Sequence, residues 1–193
     1  MKSVTVFCGS SLGIDEAYQA DAFLLGKLLA QQNITLVYGG AKIGIMGAVA
    51  DAVLNEGGEV VGVIPNFLKT KEVAHDKLSK LIVVNTMHER KMQMQELCDG
   101  IIALPGGFGT MEELFEVLTW AQLGLHQKPI GLLNTNGFYD SLIQLLVNMV
   151  EKGFLKQINQ DMLLVSNDVN DLLLQMQNYK APEVHKWITN ETI

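Results

Sequence analysis

The chain has 193 residues, 48% of them hydrophobic and only 18% charged, which excludes a disordered or coil-like protein and leaves ample apolar material for a core. A net charge of −7 argues against a duplex nucleic-acid binder, which needs a basic face, yet allows a small phosphorylated ligand that needs only a local nest and one or two cations. Two cysteines, Cys8 and Cys98, are too few for a disulfide scaffold and suit a reducing compartment. The apolar runs are strand-sized and broken by glycine, so no membrane span is expected, and residues 1–8 show no cleavage site of a secretory signal. The expectation is one cytoplasmic domain over residues 1–193, with an unassigned tail over 180–193.

In chain order, Val4 to Cys8 reads as a strand and Gly9-Ser10-Ser11-Leu12-Gly13 as the turn at its carboxyl end. Asp15 to Gln32 carries Ala22, Leu25, Leu28 and Leu29 at helical spacing. Thr35 to Tyr38 is a second strand, followed by a glycine-rich turn from Gly39 to Gly44 and a helix from Met46 to Asn55. Glu59 to Ile64 is a third strand, Pro65 to Asp76 an irregular segment, and Leu81 to Val84 a fourth strand before a helix from Met87 to Leu97. Gly100 to Leu104 is a fifth strand, leading through glycines into a helix from Met111 to Leu123. Pro129 to Leu133, Phe138 to Lys152, Met162 to Val165 and Val169 to Asn178 complete the alternation as strand, helix, strand, helix. Near-continuous apolar strands alternating with amphipathic helices mean an α/β protein, Rossmann-like, with a mostly parallel sheet covered on both faces. The glycine turns after Cys8, Tyr38 and Leu104 all fall at strand carboxyl ends, where open α/β sheets bind ligands, and together they predict a nucleotide-sized site.

The central stretch is Leu104-Pro105-Gly106-Gly107-Phe108-Gly109-Thr110-Met111-Glu112-Glu113. Glycines let the backbone turn tightly and present N–H groups that no side chain shields, and a helix start favours an anion. Strand, glycine turn and helix start together make a phosphate seat, with Glu112 and Glu113 within a turn of it. Thr110-Met111-Glu112-Glu113 is equally a T-x-x-E capping box, in which Glu113 only folds back on the Thr110 amide. Both readings stand at this level. The stretch is not a dinucleotide fingerprint, since Glu112 occupies the place of the third glycine in G-x-G-x-x-G.

Met87-His88-Glu89-Arg90-Lys91 opens a helix near the same rim, where Arg90 suits two-pronged recognition of an anion and Lys91 adds a point charge. The same triplet also reads as an ordinary solvated face. His88-Glu89 begins a zinc-protease motif, but Met92 stands where the second histidine belongs, and no histidine pair has metal-ligand spacing. Cys8 reads as a core residue, the methionines at 87, 92 and 94 as helix packing, and Gly39 to Met46 lacks the G-K-[ST] of a Walker loop.

Cys8-Gly9-Ser10-Ser11, Val37-Tyr38-Gly39-Gly40, Gly44-Ile45-Met46-Gly47, Gly62-Val63-Ile64-Pro65, Met87 to Lys91, Pro105 to Glu113 and Thr119-Trp120-Ala121-Gln122-Leu123-Gly124 together resemble the LOG ("lonely guy") family. Its members are cytokinin riboside 5′-monophosphate phosphoribohydrolases, often mislabelled lysine decarboxylases. The likeness extends to about Phe154, and the pairing of M-H-E-R-K with P-G-G-x-G-T-x-x-E carries its specificity. It implies a Rossmann-like homodimer that cleaves the N-glycosidic bond of an adenosine 5′-monophosphate, with no metal or organic cofactor. Matched by position, it implies Arg90 and Glu113 as the catalytic pair, and Glu72, Lys91, Thr119 and the run Gly107, Phe108, Gly109, Thr110, Met111, Glu112 and Glu113 as substrate contacts. Ala41 and Ile45 depart from the family's G-G-G-x-x-G-L-M-G; Ala41 is costly only where a positive φ is needed or a ligand approaches the backbone.

That chemistry is consistent with the residues. Glycosidic cleavage passes through an oxocarbenium-like state that a carboxylate can stabilise while orienting water. At a helix start Glu113 is expected to stay ionised, as a base and not an acid. The rival classes are a carrier of a phosphorylated cofactor on the same fold, and an amino-acid decarboxylase, which needs a pyridoxal-phosphate lysine that neither Lys42 nor Lys91 is marked to be. Leu114, Phe115, Leu118, Trp120, Ala121 and Leu125 give the central helix more apolar surface than one sheet face covers, so it is expected at a subunit interface.

Overall fold

The computed structural model describes residues 1–69 and 74–182. Glu72 therefore lies outside the described residues, as does the tail beyond 182. The strands are β1 (Ser3–Phe7), β2 (Thr35–Tyr38), β3 (Val60–Pro65), β4 (Lys80–Val84), β5 (Gly100–Ala103), β6 (Ile130–Leu133) and β7 (Leu163–Ser166). They form one sheet in the order β4-β3-β2-β1-β5-β6-β7, with every neighbouring pair parallel. Parallel neighbours need long crossovers, and the helices α1 (Glu16–Gln31), α2 (Gly44–Asn55), α3 (Met87–Glu96), α4 (Phe108–Gln122), α5 (Asp140–Glu151) and α6 (Gln157–Gln160) lie in them, while α7 (Val169–Asn178) follows the last strand.

Strand alternation divides the core into two layers. Val4, Val6, Leu36 and Tyr38 pack under α1, α2 and α7, while Phe7, Val37, Ile101 and Ala103 pack under α3, α4 and α5. β5 and β6 are buried along their whole length, as strands covered on both faces must be, whereas the edge strand β4 is half-exposed and opens on Lys80. No helix among the described residues is long and apolar enough to cross a membrane.

Two predicted helix starts are too late. α2 begins at Gly44 instead of Met46, and α4 at Phe108 instead of Met111. Periodicity locates the apolar face of a helix, and glycines in the first turn leave no mark on it. The early start of α4 removes the capping-box reading: Thr110 lies inside the first turn, Gly107 occupies the cap, and no side chain caps it. The long helix predicted over Phe138 to Lys152 is α5, preceded by a 3₁₀ turn (Thr135–Gly137), and this turn and α6 are elements the sequence pattern did not reveal.

Candidate active site

Strand order reverses between β1 and β5, so the crevice at their carboxyl ends is the place where this architecture takes ligands. The β5–α4 loop is held there from two sides. Gly9 N–H donates to the Pro105 carbonyl (3.1 Å) and Leu104 N–H to that of Phe7 (2.9 Å). From the other side the buried Tyr139 hydroxyl donates to the Leu104 carbonyl at 2.6 Å. Sequence reasoning passed over Tyr139, since a lone tyrosine before a helix carries no signal of what it anchors.

Beyond this anchored loop, the first amides of α4 stand open. Met111 N–H donates to the Gly107 carbonyl (3.1 Å), but the amides of Phe108, Gly109 and Thr110 have no acceptor among the described residues. Gly107 and Gly109 are exposed, and the Phe108 side chain is 96% exposed at the rim. These amides face a cavity of about 300 Å³, a size suited to a small ligand. Its floor is Val6, Phe7 and Cys8 of β1 and the loop beyond; Gly39 and Met46 form one side, and Met87, Arg90 and Met94 of α3 another. Glu112 and Glu113 join from α4. A second, more apolar hollow of about 260 Å³ adjoins it across Gly9, Ser10 and Gly107, walled by Tyr18 and Phe138.

The M-H-E-R-K element splits into an outward and an inward half. The Thr86 hydroxyl caps α3 by accepting from Glu89 N–H (3.1 Å), and Glu89 Oε2 accepts from Asn85 N–H (2.8 Å). The T-x-x-E start signal is thus satisfied here, not at Thr110, and Glu89 is a structural residue. Arg90 and Lys91 turn inward and are buried. Arg90 is 6% exposed, and its guanidinium meets only the Gly39 carbonyl (3.4 Å) and, weakly, Met87 Sδ (3.9 Å). Its Nε has no partner, and Arg90 forms no ion pair among the described residues. A buried cation left in this condition is poised for an anionic or oxygen-rich ligand.

Glu113 faces the same cavity. Burial pushes its pKa up to about 7; the charge of Arg90 pulls it back, Glu112 raises it, Lys91 lowers it and Glu116 raises it. The expectation of a permanently ionised Glu113 is therefore corrected: the earlier helix start places it beyond the first turn, where the open amides and dipole no longer hold it. Cys8 below it is kept as a thiol, first by burial and then by the negative charge of Glu113, so it is no nucleophile.

Of the residues singled out from sequence, Arg90, Gly107, Phe108, Gly109, Thr110, Glu112 and Glu113 line the cavity. Lys91, Met111 and Thr119 do not: Lys91 bonds Glu112 and Glu116, Met111 packs against the core, and the exposed Thr119 hydroxyl donates to the Phe115 carbonyl (2.7 Å). Lys42 is at the surface on Asp76 (3.1 Å), and Ala41 is buried without a positive φ, so its departure from the glycine pattern carries no backbone strain.

The family described as "Possible lysine decarboxylase" matches residues 46–176. A cytokinin riboside 5′-monophosphate phosphoribohydrolase of Arabidopsis thaliana is 44% identical over 178 residues, covering 92% of this chain and 84% of that protein. Another, from Oryza sativa subsp. japonica, is 44% identical over 182 residues, covering 94% of this chain and 75% of that protein. Among solved structures, the molybdenum cofactor carrier protein of Chlamydomonas reinhardtii aligns with a TM-score of 0.69 at 19% identity, over 91% of this chain and 95% of that one, a likeness of fold alone. Identity at the level of the plant enzymes, sustained along nearly all of the chain, means that this protein belongs to the LOG family.

Proposed function

We propose that this protein hydrolyses the N-glycosidic bond of adenosine 5′-monophosphate-type nucleotides, AMP or its N6-substituted cytokinin forms, to free base and ribose 5-phosphate. The observation that carries the reading is a buried Arg90 with no ion pair among the described residues and a carboxyl of pKa about 7, sharing one cavity with the open start of α4. The 5′-phosphate sits on the amides of Phe108, Gly109 and Thr110, where the helix end favours negative charge. Ionised Glu113 stabilises the cationic ribose as the C1′–N bond breaks and takes a proton from the attacking water, whose oxygen bonds to C1′. The electron pair of the broken bond leaves with the base. Arg90 supplies donors to substrate oxygens and keeps a share of Glu113 ionised.

A carrier of a phosphorylated cofactor needs the open amides but has no use for the Arg90–Glu113 pair. A decarboxylase needs a cofactor-bearing lysine in the cavity, and neither Lys42 nor Lys91 lines it. Base release from AMP and from N6-isopentenyl-AMP, followed by chromatography, tests the reading: Glu113→Gln should lose about 10²–10⁴-fold in rate. Release that survives in that variant overturns the assignment of Glu113, and AMP binding without release by the wild type favours a carrier. Because kcat/KM follows the free enzyme, it should rise with pH to a plateau above about 7 as Glu113 ionises. A rate that falls through this range would make Glu113 the acid. The protein acts as a homodimer, joined through the α4–α5 side, where Leu125, Leu145 and Phe154 are exposed, Phe154 to 89%. Sedimentation as a monomer would overturn that. Two buried free thiols suit a cytoplasmic setting.

A further inference from the structure

Lys91 neighbours Arg90 in the chain, yet it does not line the cavity, and its ammonium is engaged with carboxylates of α4. It lies 2.5 Å from Glu112 Oε1 and 2.9 Å from Glu116 Oε1, with its side chain 8% exposed. Glu112 and Glu116 are one turn apart on α4, a like-charged pair that repels unless a cation sits between them. One nearly buried cation on α3 therefore joins two carboxylates of α4. It bridges the helix that carries Arg90 and the helix that carries Glu113.

We propose that Lys91 is a positioning residue, whose ion pairs with Glu112 and Glu116 fix α3 against α4 and so set the placement and charge balance of Arg90 and Glu113, in place of gripping the substrate. This rests on the glycosidase reading only in taking Glu113 as the group that matters. Among the described residues, the charged and titratable groups facing Glu113 are Glu112 and Glu116 from α4, Arg90 and Lys91 from α3, and the thiol of Cys8 from the β1 side. The two cations offset the two neighbouring carboxylates. Burial pulls the Lys91 pKa down, but its bonds to Glu112 and Glu116 outweigh this and hold it above its usual value, so it stays charged wherever Glu113 titrates. Without Lys91, Arg90 is the one cation among the described residues left facing three carboxyls.

The test reads Glu113 directly, by ¹³C NMR titration of its carboxyl in the ligand-free protein, beside the pH profile of AMP hydrolysis. Lys91→Met should move both the Glu113 titration and the ascending limb of kcat/KM up by about one pH unit, while KM on the plateau stays near wild type. Lys91→Arg should restore both. Glu116→Gln should move them down, because it removes a charge that opposes ionisation. A plateau KM raised tenfold or more in Lys91→Met, with the Glu113 titration unmoved, overturns the proposal and makes Lys91 a substrate ligand. If Lys91→Met does not fold, Lys91→Gln, which keeps a polar tip between Glu112 and Glu116 without the charge, is read in its place, and an unmoved titration overturns the proposal. Absence of hydrolysis by the wild type would sink the glycosidase reading, but the titrations would still decide the role of Lys91.

Discussion

Two glycine-rich turns lie at the carboxyl ends of β2 and β5, each running into a helix. In the first, Gly40 and Gly44 take φ of +79° and +61°, and a Cβ on Gly44 would fall 2.2 Å from the Ser10 carbonyl carbon. The amides that open α2 are already engaged: Ile45 N–H donates to the Ser11 carbonyl (3.3 Å) and Met46 N–H to that of Gly9 (3.4 Å). In the second turn, a Cβ on Gly107 or Gly109 would meet nothing within 4 Å, and the amides that open α4 have no acceptor among the described residues. The first turn needs glycine to close the fold. In the second turn Gly106 is held close by Thr110 and the Gly9 backbone, but Gly107 and Gly109 meet no such demand, so these two leave bare backbone for something that is not part of the chain.

The hardest blow to this contrast would come through Gly44. Gly44→Ala forces a side chain into left-handed backbone and onto the Ser10 main chain, which cannot retreat without disturbing β1. A loss of about 2–5 kcal/mol in denaturant unfolding is expected. Stability within about 1 kcal/mol of wild type would show that this turn is as open as the other.

The next effect sharpens the contrast on the ligand side, where the fold keeps an acid at a cost. The Glu113 pKa rises from its usual 4.5 to about 7 in the folded protein, so the folded state holds the proton more tightly than the unfolded one. Stability is then lost as pH rises from about 4.5 to about 7 and stays lost above it. Glu113→Gln removes that loss. The variant should be more stable than wild type at pH 8 by on the order of 1–3 kcal/mol, with the gain fading below pH ~4.5. Equal stability of the two at pH 8 would mean that the site stabilises the carboxylate as well as water does.

These differences mark the limits of what could be read from sequence. The alternation of apolar runs and 3.6-residue stripes reveals the layers and the rim, because burial on both faces of a parallel sheet leaves few other patterns. Arg90 and Glu113 were recognisable through their motifs. The ionisation of Glu113 was not, because it depends on where α4 starts, and Gly107 and Gly109 give periodicity nothing to register. The partner of Lys91 was hidden as well: Glu112 and Glu116 are more than twenty positions away, and only the packing of α3 on α4 brings them together. Tyr139, which holds the loop from behind, acts through one hydroxyl on one carbonyl and leaves no pattern at all.

The smallest change in stability is the most telling about ligand binding. Gly109 lies in the first turn of α4 with ordinary helical φ and open space around it, so Gly109→Ala should fold normally and gain up to about 0.5 kcal/mol from helix propensity. The same methyl stands beside the three amides assigned to the phosphate. Crowding a charge-assisted contact there should weaken AMP binding about tenfold in calorimetry while Glu113 continues to titrate near 7. A variant that is slightly more stable and binds AMP more weakly can be explained only by a ligand that comes against bare backbone. Unchanged AMP affinity would instead place the anion elsewhere in the cavity, with Arg90 as the nearest alternative, and would leave the open glycines of the second turn without a function.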